Sequence, residues 1–140
     1  MSDAAAARPI PPGFVIKPGA GGGFHQMMGP VWLHDDGRVG IYVEARHTNP
    51  IGITDGGFVM TLADHTCGFA IFRAANSTRA VTISLNCDFM GSAKEGEWIE
   101  CRPTITRKTR SLAFARAEIT CGARILLVGN GIWKFLEPRG

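Results

Sequence analysis

The chain is 140 residues long, 45% hydrophobic and 19% charged. Those proportions exclude a disordered polymer and fit one domain with a core of its own. The formal net charge is only +3, and the basic residues are spread over strand-like segments with few aromatics in a stacking arrangement beside them, which argues against a nucleic-acid binder.

No run approaches the ~18 apolar residues of a membrane span, so no membrane partner is expected. The N-terminus lacks the basic and apolar regions of a secretory signal. Cys67, Cys87, Cys101 and Cys121 show neither a CxxC pair nor zinc-like spacing. They read as reduced thiols of a cytoplasmic protein, with no metal site.

Residues 1–27 form an Ala-, Pro- and Gly-rich extension, expected to be only partly ordered. Its Gly19–Gly23 run reads as a turn, because no Lys-Ser/Thr pair follows to make a phosphate loop. The domain proper spans 28–138. Val31–His34 is a short strand, Asp35–Gly37 a hairpin turn, and Arg38–His47 a half-buried strand by its alternation. Pro50 and Gly52 break the pattern. One long helix is predicted over Gly56–Ala75, with Val59, Leu62, Ala63, Thr66 and Ala70 on one stripe widened by Phe58, Phe69 and Phe72. Thr54 or Asp55 can cap it. Four long strands follow, Arg79–Phe89, Glu97–Arg107, Thr109–Cys121 and Ala123–Phe135, joined by short turns and therefore antiparallel. The fold class is α+β, with a helix that must be wrapped because it is apolar around most of its circumference.

The chemistry concentrates in His47–Asp64. Gly56 and Gly57 open the helix, where the first N–H groups are unpaired and sit at the positive end of the dipole. Such donors suit a developing oxyanion. Asp64 interrupts the apolar helix, and a carboxylate there is either functional or satisfied by a local partner. Eight residues of helix separate Gly56 from Asp64 by about 12 Å along the axis and ~80° around it. Both cannot touch one reacting atom. If both serve one substrate, Gly56 of one subunit must meet Asp64 of another.

Asn49, Gly52, Asp55-Gly56-Gly57, Leu62 and Asp64 keep the spacing of a known pattern, N-x-x-G-x-x-H-G-G-x-x-x-x-L-x-D. The stretch resembles the hotdog-fold acyl-CoA thioesterases of the phenylacetate-pathway type, within the 4-hydroxybenzoyl-CoA thioesterase superfamily. The resemblance runs from about Met28 to the C-terminus. It implies a hotdog fold, one long central helix in a curved antiparallel sheet, and a homodimer or dimer of dimers with active sites at the interface. It implies hydrolysis of a short, medium or aromatic acyl-CoA to free acid and CoA, with no cofactor beyond the CoA of the substrate. By the same resemblance the Gly56 N–H polarises the thioester carbonyl and Asp64 is nucleophile or general base. Asn49 places substrate or water, and Thr82, or failing it Ser84, supplies an assisting hydroxyl. Gly57 and Asp55 border the substrate, and Arg107, Lys108, Arg110 and Ser111 resemble the segment that borders the CoA tail. A solvated basic turn is the plainer reading of those last four.

The departure is Asp55, where the pattern has histidine. It either serves as a helix cap and spares the oxyanion site, or sets negative charge against it. The second possibility motivates an alternative, an acyl-CoA-binding protein that does not cleave. His47 reads as structural. Phe58, Phe69, Phe72, Phe89 and Met90 read as core by default, with pocket lining as the alternative, and Trp98 and Trp133 as core or interface.

Overall fold

Alternating strands joined by short turns give one seven-stranded antiparallel sheet. The computed structural model describes residues 8–17 and 22–137. In chain order the elements are β1 (Phe14–Ile16), α1 (Gly23–Met28), β2 (Trp32–His34), β3 (Val39–Tyr42), a 3-10 turn (Ala45–His47), α2 (Gly56–Ala74), β4 (Ala80–Phe89), β5 (Trp98–Lys108), β6 (Leu112–Cys121) and β7 (Arg124–Phe135). The strand order across the sheet is β1-β2-β3-β5-β6-β7-β4. The chain therefore crosses from β3 through α2 to the far edge, lays down β4, and returns to fill the centre.

The centre of the sheet bends around α2, which packs against β4, β5, β6 and β7. Phe58, Val59, Leu62, Ala63, Thr66, Cys67 and Ile71 of the helix are buried. They meet Val39, Ile41, Ile99, Cys101, Ile119, Leu127 and Trp133 of the strands in one continuous core. Each such side chain contributes roughly 1.5–3 kcal/mol by leaving water. This is the wrapped-helix arrangement that the motif implied. The apolar stripe runs through Cys67 and Ile71 rather than through Ala70, which is only half-buried.

Three expectations are corrected. The strand read over Arg38–His47 stops at Tyr42, and Ala45–His47 turns as a 3-10 helix. The Glu44 N–H donates to Nδ1 of His47, and the His47 N–H donates to the Glu44 carbonyl. This local closure outcompetes a ladder. The strand read from Thr109 begins at Leu112, because the Leu112 N–H donates to the Thr109 hydroxyl and closes the turn. Phe89 and Met90, read as core, are 53% and 63% exposed. The Gly19–Gly23 turn lies partly outside the described residues; Gly22 caps α1 and Gly23 begins it.

β1 and α1 were not foreseen. Phe14 pairs with His34 across β1 and β2 and is buried, and Met28 ends α1 in the core. At the other edge, β4 is ten residues long and, among the described residues, leaves one side unpaired. Val81 and Ile83 on it are 43% and 56% exposed.

Candidate active site

The helix start is held from behind. The Asp55 N–H donates to the His47 carbonyl at 2.8 Å, and the Thr54 N–H donates to the Ala93 carbonyl at 2.9 Å. His47 is 3% exposed, donates from Nε2 to the Met28 carbonyl at 2.6 Å, and stacks on Phe58 with ring centres 4.0 Å apart. Burial pushes its pKa below the ordinary value. The residue is structural, and it ties α1 and the loop to the first turn of α2.

Asp55 is the cap. Its Oδ2 accepts from the Gly57 N–H at 3.0 Å and from the Phe58 N–H at 3.4 Å. Among the described residues the Gly56 N–H donates to nothing. Capping therefore consumes the second and third donors of the helix and leaves the first. Asn49 closes the preceding loop, with its Oδ1 accepting from the N–H groups of Ile51 at 3.1 Å and Ile53 at 3.3 Å.

Asp64 sits half-buried two turns further along α2. The Thr82 hydroxyl donates to its Oδ1 at 2.6 Å. A bulge decides which hydroxyl can do this. Thr82 pairs with Trp133 and Ser84 with Ile132, so Ile83 is an extra residue in β4. Directly opposed residues share a face. Trp133 is buried beside Gly68 of the helix. Thr82 therefore faces the helix with it, and Ser84 faces away.

Asp64 and Thr82 open onto a cavity of about 570 Å³ between α2, the start of β4 and the α1 segment. Phe69, Phe72, Trp133 and Leu136 give it an apolar wall. Phe69 and Phe72 thus take the pocket-lining alternative rather than the default of closed core. Lys17, His25, His65 and Arg79 also line it. All four lie outside the motif. His65 adjoins Asp64 and is readable by helix register, whereas Lys17 follows β1 and His25 lies in α1, both in an N-terminal region whose elements the sequence pattern does not signal. Burial pushes the His65 pKa down to about 4, reinforced by the charges of Lys17 and His25.

The basic turn lines a second, larger cavity of about 1010 Å³, which holds Lys108, Arg110, Ser111 and Lys134. Leu136 is common to both cavities. Lys108 Nζ also donates to the Ala74 carbonyl at 3.2 Å, capping the C-terminus of α2. Arg107 is exposed and stands outside that lining. At the opposite end of the helix, Asp55, Gly57 and Phe58 line a third cavity of about 440 Å³. A single chain thus places Asp64 and the helix N-terminus in separate cavities. Among the described residues no cluster of three His, Cys, Asp or Glu could hold a metal ion, and no helix is long and apolar enough to cross a membrane.

A helix wrapped by an antiparallel sheet, with a carboxylate in mid-helix and one uncapped N–H, that of Gly56, at its start, is the arrangement of a hotdog thioesterase. Residues 52–127 match the Thioesterase superfamily, and the chain belongs to it. It is 30% identical over 112 residues to "Putative esterase PA0474" of Pseudomonas aeruginosa, covering 76% of this chain and 84% of that one. It is 32% identical over 89 residues to acyl-coenzyme A thioesterase 13 of Homo sapiens, covering 64% of each. Among solved structures, zebra fish thioesterase superfamily member 2 superposes with a TM-score of 0.68 at 26% identity, covering 96% of this chain and 91% of that one.

Proposed function

We propose that the protein hydrolyses short, medium or aromatic acyl-CoA thioesters, with Asp64 as the reacting carboxylate. The observation that carries this is Asp64 itself, held by the Thr82 hydroxyl at 2.6 Å and facing an apolar-walled cavity. Thr82 occupies Oδ1 and leaves Oδ2 for chemistry. As general base, Asp64 takes a proton from water while the water oxygen attacks the thioester carbon. As nucleophile it attacks that carbon itself, and water then cleaves the anhydride. In both routes the carbon–sulfur bond breaks, and CoA leaves as a thiolate that takes up a proton. The Gly56 N–H supplies the donor for the carbonyl oxygen. Its distance from Asp64 along α2 supports a site shared between two subunits. The open edge of β4, with Val81, Ile83 and Phe89 exposed, supports a homodimer built there. The Lys108–Ser111 turn suits the phosphates of CoA, and its cavity adjoins the Asp64 cavity through Leu136. The four free thiols support a cytoplasmic setting.

The second reading, acyl-CoA binding without cleavage, is favoured by the Asp55 carboxylate beside the oxyanion donor. Thiol release from a panel running from acetyl- to palmitoyl-CoA, with phenylacetyl- and benzoyl-CoA, separates the two. Hydrolysis by the wild type and a loss of roughly a hundredfold or more in Asp64→Asn is the expected result. Wild-type turnover in Asp64→Asn overturns the role of the carboxylate. Binding with no turnover by the wild type establishes the second reading.

A further inference from the structure

The wall of the Asp64 cavity holds a cation that has no counterion among the described residues. Lys17 follows β1, and its Nζ stands 3.3 Å from Nε2 of His65 and 3.7 Å from the centre of the Phe69 ring. An ammonium only donates, so Nε2 of His65 meets it as a lone pair and the ring is neutral. The His65 pKa of about 4 agrees with a neutral ring at neutral pH. His25 packs edge-on against His65 with ring centres 4.2 Å apart. Among the described residues no carboxylate lies within ion-pairing distance of Lys17 or of Arg79, the other cation of the wall. Asp64 is the one carboxylate lining the cavity, and Thr82 engages it.

A half-buried ammonium held by an imidazole and a phenyl face has given up water without gaining a charge partner. Burial accordingly lowers the Lys17 pKa. An anionic group entering the cavity restores what was lost. We propose that Lys17 forms an anion subsite in the acyl chamber, so that the preferred substrates are ω-carboxyacyl-CoA thioesters. This rests on the hydrolytic reading above. The methylenes lie against Phe69, Phe72 and Trp133, the thioester reaches Asp64, and the distal carboxylate meets Lys17.

The test compares adipoyl-CoA with hexanoyl-CoA, and suberoyl-CoA with octanoyl-CoA, by kcat/KM. Both members of each pair carry the same CoA, so a phosphate at Lys17 would not separate them. Wild type should prefer the carboxylated member by about tenfold or more, as charge-assisted hydrogen bonds allow. Lys17→Met should collapse that ratio, and Lys17→Arg should retain it. Equal or reversed preference in wild type, or a ratio unchanged in Lys17→Met, overturns the subsite while hydrolysis stands. Binding to Asp64→Asn gives the separate readout. Tighter binding of adipoyl-CoA with no turnover by wild type upholds the anion subsite and overturns hydrolysis.

Discussion

Asp55→Asn separates two effects of one carboxylate. In the structure Oδ2 accepts from the Gly57 and Phe58 N–H groups at 3.0 and 3.4 Å. Asparagine keeps a capping oxygen there and ranks with aspartate as a cap, so the hydrogen bonds survive. What is lost is the charge. Its attraction to the helix N-terminus contributes about 0.3–1 kcal/mol, so Tm should fall by about 1–4 °C. Activity should move the other way. An oxyanion on the Gly56 N–H would share the first turn of the helix with Oδ2, and two like charges about 4 Å apart repel by ~1 kcal/mol in water and ~4 kcal/mol at an effective dielectric of 20. Asp55 is exposed, so the watery end of that range governs, and a three- to tenfold rise in kcat is expected from roughly 0.7–1.4 kcal/mol. The rise should shrink in added salt, because screening weakens exposed charges. The assay is thiol release at low and high ionic strength, with a thermal melt on the same samples. An Asp55→Asn enzyme that is as stable as wild type but no faster at low salt refutes the electrostatic reasoning. Asp55→Ala is the control, since it removes the cap and should cost about 1 kcal/mol, or ~2–4 °C in Tm.

Two further outcomes follow from the same geometry. Thr82→Val removes the 2.6 Å hydrogen bond to Asp64 and should lower kcat by about ten- to a hundredfold, while Thr82→Ser keeps most of the rate; equal losses in both would show that packing, not the hydroxyl, matters. His65 is neutral in the fold, with a pKa of about 4 against an ordinary 6.5. The unfolded chain therefore binds more protons between those values, and stability is full above about pH 6.5 and declines as pH falls towards 4. The loss is of order 3 kcal/mol, and His65→Gln should flatten that limb of a urea-denaturation series, whereas an unchanged pH slope would contradict the burial assigned to His65.

Much of the fold was legible because two periodicities dominate the chain. Alternation over β5 to β7 and the apolar girth of α2 each survive local noise, and Asp64 stands out as the one carboxylate in the helix. The missed elements carry no comparable signal. β1 has three residues and α1 six, too short for either period to register. Both are fixed by tertiary partners, Phe14 by the ring of Trp98 at 5.3 Å and α1 by His47. The choice between Thr82 and Ser84 was likewise not readable from strand alternation. In an unbroken strand both would share a face, and only the pairing register reveals the extra residue between them.

That extra residue makes β4 forgiving of a change in length. Ahead of Ile83, Ala80 and Thr82 face the helix opposite Phe135 and Trp133; beyond it, Leu85, Cys87 and Phe89 do so opposite Gly131, Gly129 and Leu127. Deleting Ile83 would turn an irregular ladder into a regular one and leave every one of those facing pairs in place. Insertions and deletions in strands ordinarily invert all that follows. Here, one residue along from the hydroxyl that holds Asp64, the chain carries a slot where a lineage could gain or lose an amino acid without turning the strand inside out.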